Sequence, residues 1–143
     1  MKKIVAGTIG NCVHVAGTMN FLSLAENEGY DTKFLGIALS IEDIIKKVKK
    51  EKPDMVGISY RLTPEPLVGL LKELTSIVNS ENLNNIKWLF GGTEPTAKVA
   101  ERCGLFDKIF YGTEDIDEVI GFLKGTNYHK EEYYPKDLIA RIE

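Results

Sequence analysis

A histidine stands in a loop-like stretch near the amino terminus: His14, within Gly10-Asn11-Cys12-Val13-His14-Val15-Ala16-Gly17. The other histidine, His129, lies in the carboxyl-terminal stretch. Imidazole binds transition metals and carries protons near neutral pH, so His14 is the first residue to question. Cys12 stands two residues before it. Small residues recur at three further places: Ser59-Tyr60-Arg61, Gly91-Gly92-Thr93 and Gly112-Thr113. Taken singly, each has an ordinary reading. A loop histidine is usually a surface residue, a Gly-Gly pair marks a turn, and Ser59 is a small residue at a strand end. They acquire chemical meaning only if the fold gathers them.

The elements that must position them alternate between two periods. Apolar runs at Ile4–Thr8, Thr32–Gly36, Met55–Ser59, Ile86–Phe90 and Lys108–Tyr111 read as strands. Helical patterns fill the intervals. Val13–Glu28 can be helical and stops at Gly29. Ser40 opens a second helix, with Asp43 as capping partner and Ile41, Ile44, Ile45 and Val48 on one stripe. The Lys46, Lys47, Lys49 and Lys50 face of that helix is expected to be solvated. Thr63-Pro64 opens a third helix, striped by Leu67, Leu70, Leu71, Leu74 and Val78. Thr93-Glu94-Pro95 opens a fourth, which ends near Gly104. Ile116, Val119, Ile120 and Leu123 stripe a fifth, and Gly125 is expected to end it.

Five strands alternating with five helices predict an α/β, flavodoxin-like, doubly wound parallel sheet of order 2-1-3-4-5 in three αβα layers. In such a sheet ligands sit outside the carboxyl ends of the strands. The loops holding His14, Ser59, Gly91-Gly92 and Gly112-Thr113 all fall there. Residues 1–125 are expected to form the domain, and residues 126–143 a tail rich in tyrosine.

Several function classes drop out. Gly7-Thr8-Ile9-Gly10-Asn11 lacks the lysine of a phosphate-cradling loop. Only Thr8 offers the hydroxyls a flavin mononucleotide would want in the first loop. A phospho-acceptor receiver domain needs carboxylates after strands one and three, where Gly7-Thr8 and Ser59-Tyr60 stand. No Ser–His–Asp arrangement is identifiable. A net charge of -3 over 143 residues argues against nucleic acid as a partner. Two cysteines are too few for a disulfide framework, and no run approaches the ~20 apolar residues of a membrane span. A cytoplasmic protein without membrane attachment is expected.

The run from Lys3 to Gly17 resembles the start of cobalamin-binding domains, and among them the small subunit of glutamate mutase. That family carries Asp-x-His-x-x-Gly after the first strand, Ser-x-Leu after the third, Gly-Gly after the fourth and Gly-Thr after the fifth. Here His14 and Gly17, Ser59, Gly91 and Gly92, and Gly112 and Thr113 match in that order. Cys12 takes the Asp position, and Arg61 takes the Leu position of Ser-x-Leu.

The resemblance implies a cobalamin held with its own lower base detached, with His14 on cobalt and the nucleotide tail in a slot beside the sheet. Gly17 would let the tail pass, Ser59, Gly91 and Gly92 would line the slot, and Gly112 and Thr113 would form its far wall. The family's Asp orients the imidazole. A thiol is a weaker acceptor, so Cys12 is expected to limit affinity. Residues 11–23 hold poor helix formers, including Asn11, Gly17 and Asn20, and are expected to be ordered by the cofactor. The sequence begins at its first strand, as the mutase small subunits do. The expected role is therefore the cofactor-carrying part of an adenosylcobalamin-dependent carbon-skeleton mutase, inactive alone, with adenosylcobalamin expected ahead of methylcobalamin. The substrate site would lie on a catalytic barrel subunit or domain. The alternatives are a cobalamin carrier or sensor, a methyl-transfer corrinoid protein, or a degenerate domain that no longer binds cobalamin.

Overall fold

A computed structural model describes residues 2–127. Its elements are β1 Lys3–Ile9, α1 Ala16–Asn27, β2 Asp31–Leu39, α2 Ile41–Glu51, β3 Met55–Tyr60, α3 Pro64–Ser80, β4 Lys87–Gly92, α4 Glu94–Cys103, β5 Lys108–Phe110 and α5 Ile116–Asn127. The sheet has the order β2-β1-β3-β4-β5, and each of its pairings is parallel. This is the flavodoxin-like arrangement expected from the alternation. Residues 126 and 127 continue α5, so the helix runs past Gly125. The rest of the expected tail lies outside the described residues.

Side-chain alternation along the central strands sends two sets of residues to opposite faces. Val5, Val56, Ile58, Trp88 and Phe90 pack with the stripes of α2, α3 and α4 in the larger core. All four α2 stripe residues are buried. Ile4, Ala6, Met55 and Leu89 pack with Leu22 and Ala25 of α1 and Leu123 of α5 in a smaller one. On this second face the sheet presents Ala6 paired with Gly57, and Ser59 paired with Gly91. The floor beneath α1 and α5 is therefore almost without side chains where the strands end.

The elements differ from expectation in ways that shape the site. α1 begins at Ala16, not Val13. Val15 caps it with no side-chain hydrogen bond, so His14 lies in the loop and not in the helix. β2 runs on to Leu39 because two register shifts against β1 let it continue through Gly36 (φ 132°) and Ala38 (φ 51°). Gly91 and Gly92 are not a turn. They are the last residues of β4, paired with Ser59 and Tyr60. Thr63 precedes α3 but gives no side-chain cap, and its carbonyl accepts a hydrogen bond from the Tyr60 hydroxyl at 2.7 Å. α4 begins with a capping box between Thr93 and Thr96. Ile116, expected on the buried stripe of α5, is exposed.

Candidate functional site

The loop carrying His14 is fixed from below by one buried hydroxyl. Thr8 donates to the Cys12 carbonyl at 2.5 Å and accepts from the Ala38 amide at 2.8 Å. The Ala38 amide also reaches the Cys12 carbonyl at 3.1 Å. The left-handed turn at Ala38 is thus tied to the loop after β1, and this tie extends β2.

Above that clamp the Cys12 side chain is fully buried. Its Sγ accepts the backbone N–H of Arg61 at 3.4 Å and lies 3.6 Å from Nδ1 of His14. One sulfur therefore joins the loop after β1 to the loop after β3 and touches the imidazole. The imidazole is exposed, and its Nε2 is the nitrogen left free of this contact. Asn11, three residues before His14, is exposed, and among the described residues its side chain makes no hydrogen bond to the imidazole.

Beside this loop is a cavity of about 340 Å³ between the bare floor and the helices α1 and α5. Ala6, Gly57, Ser59, Gly91 and Gly92 make its floor, and Gly17, Thr18, Phe21 and Leu24 of α1 its near wall. Phe110, Gly112, Glu114, Ile116 and Val119 close the far side, and Arg61 stands at the rim. Phe110 holds the two walls apart. Its ring lies 5.8 Å from that of Phe21 and 5.6 Å from that of Phe122, edge-on to the latter. Glu114 shapes the turn after β5, accepting the amides of Tyr111 at 2.7 Å and Gly112 at 3.0 Å. Burial pushes its carboxyl up, but hydrogen bonds from the amides of Tyr111, Glu114 and Gly112 outweigh this and hold it below the usual carboxylate range.

The expected site residues therefore divide. Gly17, Ser59, Arg61, Gly91, Gly92 and Gly112 line one cavity. Cys12 and His14 stand next to it, linked through the Arg61 amide. Thr113 is exposed and does not line the cavity.

The glycines also differ in what requires them. A β-carbon at Gly91 or Gly17 would meet nothing within 4 Å, so no neighbour in the fold requires glycine there. A β-carbon at Gly92 would lie 2.5 Å from the Tyr60 carbonyl oxygen and collide with the Thr96 hydroxyl. Gly112 (φ 87°) would place one 2.6 Å from the Gly92 carbonyl oxygen. Those two are demanded by the fold itself.

Sequence reasoning missed Thr18, Phe21, Phe110 and Glu114. The aromatics carry no motif, although Phe21 lies on the inward helical side beside Leu22. Among the described residues no group of three or more His, Cys, Asp or Glu side chains could hold a metal ion.

Residues 2–120 match the B12 binding domain family. The chain belongs to that family. The dimethylamine corrinoid protein 1 of Methanosarcina acetivorans is 28% identical over 105 residues, which are 73% of this chain and 48% of the relative. A crystal structure of a cobalamin-binding protein from Desulfitobacterium hafniense is 28% identical with a TM-score of 0.70, covering 87% of this chain and 57% of that one. The methanol:cobalamin methyltransferase complex of Methanosarcina barkeri gives a TM-score of 0.66 at 20% identity, covering 85% of this chain and 51% of that one, a likeness of fold. This B12 binding domain spans about half the length of the relatives it matches. Their names concern corrinoids or cobalamin and, in one case, methyl transfer, and none of the three names describes a mutase subunit. No helix among the described residues is long and apolar enough to cross a membrane.

Proposed function

We propose that this B12 binding domain holds a corrinoid with its lower base detached, His14 as the lower cobalt ligand and the nucleotide tail in the slot beneath α1 and α5. The proposed role is that of the corrinoid-carrying part of a methyl-transfer system. Of the roles open to the sequence, this one agrees with the names of the relatives, and the mutase role and its adenosyl cofactor find no support among them. Methylcobalamin is accordingly the form proposed.

The observation that carries the reading is the pairing of an exposed imidazole, held at Nδ1 by a buried sulfur, with an apolar slot next to it. Among the described residues no cluster of protein ligands surrounds His14, so a metal there would bring most of its coordination with it, as a corrin macrocycle does. The slot fits a tail: its floor is bare at Gly57 and Gly91, and one buried hydroxyl in its wall has no partner.

A bound corrinoid supplies a cobalt centre that accepts and releases a methyl group. This chain's residues do the rest. Cys12 orients the ring so that Nε2 faces outward, since an Nδ1–H donated to sulfur leaves the Nε2 lone pair available. Thr8 and Ala38 keep the loop at a fixed height above the sheet. Phe21, Phe110 and Val119 give the slot apolar walls. One of the structures the chain resembles is a methyltransferase complex, so a methyltransferase subunit or domain is the proposed partner.

The test is the visible spectrum of hydroxocobalamin added to the protein and to His14→Ala. The wild type is expected to give the spectrum of histidine-ligated, base-off cobalamin, and the variant to lose it. Identical bound spectra would remove His14 from cobalt. A mutase barrel copurifying in stoichiometric amount, in place of a methyltransferase, would overturn the methyl-transfer role.

A further inference from the structure

Thr18 is 6% exposed, and its hydroxyl is the buried side-chain polar atom that finds no hydrogen-bond partner among the described residues. A buried hydroxyl without a partner costs free energy, so it is either a defect or one half of an interaction. Threonine inside a helix ordinarily solves the problem by bonding back to the carbonyl four residues earlier. Two other helical threonines do this: Thr75 donates to the Leu71 carbonyl at 2.7 Å, and Thr126 to the Phe122 carbonyl at 3.3 Å. Thr96 is engaged in the capping box of α4. Thr18 lies in the first turn of α1, and the carbonyl four residues earlier belongs to His14, ahead of the helix. The usual partner is out of register. Thr18 instead lines the slot, in a wall it shares with Asn20 and the apolar side chains of Phe21 and Leu24.

We infer that the Thr18 hydroxyl is the hydrogen-bond anchor for the nucleotide tail of the corrinoid, so that the domain discriminates complete corrinoids from truncated ones. This rests on the corrinoid reading above. The tail offers two chemistries a hydroxyl can meet: a neutral ribosyl-base portion, and an anionic phosphate. One net hydrogen bond to a neutral group corresponds to roughly 2–12-fold in affinity, and one to a charged group to roughly 12–150-fold.

The experiment compares wild type, Thr18→Val and Thr18→Ser as titrated spectroscopically with cobalamin, cobinamide phosphate and cobinamide, alongside thermal melting without ligand. Valine keeps the shape and deletes the hydroxyl, and serine keeps the hydroxyl. Thr18→Val is expected to raise the Tm of the ligand-free protein, because a buried unpaired group is removed, and to weaken cobalamin by one of those factors. Cobinamide, which has no nucleotide, is expected to bind both proteins alike, and Thr18→Ser to retain the preference for cobalamin. A loss confined to cobalamin assigns the anchor to the ribosyl-base portion. A loss shared by cobalamin and cobinamide phosphate assigns it to the phosphate. Equal affinities of Thr18→Val and wild type for all three corrinoids, or an equal loss for all three, overturns the inference and leaves the function above intact. A wild type that binds no corrinoid overturns both.

Discussion

Gly91 and Gly92 are neighbours in one strand, yet substituting them is expected to have opposite consequences. A β-carbon at Gly91 meets nothing within 4 Å and projects from a residue that lines the slot. Gly91 pairs with Ser59 on one side and Phe110 on the other. Valine suits a strand interior, and replacing glycine removes about 0.5–1 kcal/mol of unfolded-chain entropy. Gly91→Val should therefore leave the ligand-free Tm unchanged or raise it by roughly 1–4 °C. Its two methyl groups would occupy space reserved for the tail, and cobalamin should bind at least about tenfold more weakly, about 1.4 kcal/mol. At Gly92 the added carbon would lie 2.5 Å from the Tyr60 carbonyl oxygen and against the Thr96 hydroxyl. Neither neighbour can retreat easily. The Tyr60 backbone is held in the sheet, where it pairs with Gly92 itself, and Thr96 closes the capping box of α4. Overpacking of this kind costs about 1–3 kcal/mol, a fall in Tm of roughly 3–12 °C for Gly92→Ala. Thermal melting without ligand and spectroscopic titration with hydroxocobalamin read both quantities. Wild-type affinity in Gly91→Val would refute the slot as the ligand's place, and an unchanged Tm in Gly92→Ala would refute the steric account of that glycine.

Cys12→Asp should tighten cobalamin binding by about 10–100-fold, because a carboxylate accepts the imidazole N–H more strongly than sulfur; it should also lower the ligand-free Tm, because position 12 is fully buried, and an affinity gain that persists with His14→Ala would show that it does not act through the ring. Glu51 bridges Lys3 and Lys33 at 2.7 Å each, and those hydrogen bonds hold its carboxyl down at about 2; its contribution is present above its ordinary unfolded value of 4.5 and is lost as pH falls toward 2, so Glu51→Gln should flatten the acid limb of the stability curve in that window. The buried Tyr30 hydroxyl donates to the Leu123 carbonyl at 2.7 Å, so Tyr30→Phe should cost about 1 kcal/mol and lower Tm by roughly 2–5 °C in thermal melting. The first turn of α1 has no side-chain cap at Val15, so hydrogen exchange at residues 16–19 should slow when cobalamin binds.

The sheet order and both helical faces were legible because periodicity reports which side of an element is buried. Ile41, Ile44, Ile45 and Val48 repeat at helical spacing, and all are buried. The candidate cavity was legible in part, as strand ends and the segments just after them: Gly17, Ser59, Arg61, Gly91, Gly92 and Gly112 meet around it. Periodicity did not reveal what tertiary contacts impose. The extension of β2 through Ala38 depends on Thr8 and Cys12, which stand some 30 residues earlier in the chain. The Gly-Gly pair reads locally as a turn, and only pairing with β3 makes it strand. Thr18 looks like any threonine in a helix until its carbonyl partner is seen to precede the first turn.

A parallel sheet of order 2-1-3-4-5 serves flavin binding and phosphoryl signalling as readily as corrinoids, so the fold by itself selects no ligand. The selection lies in what the strand ends lack. Where a receiver domain would place carboxylates, β1 carries Gly7-Thr8 just before its last residue, and Thr8 is spent on fixing the loop. On the α1–α5 face the floor is reduced to the small residues Ala6, Gly57, Ser59, Gly91 and Gly92, while the opposite face carries Ile58, Trp88 and Phe90. A domain selected for stability alone would fill that floor with valine and isoleucine, since every apolar group packed there adds to the core. Even the side chain lost at Gly57 could be restored only by crowding Ala6, 3.3 Å from an added β-carbon. The apolar area left open under α1 and α5 is area that a ligand can cover. The imidazole is joined through the Cys12 sulfur to Arg61, which lines that opening, so a single molecule carrying both a metal and an extended tail can engage both.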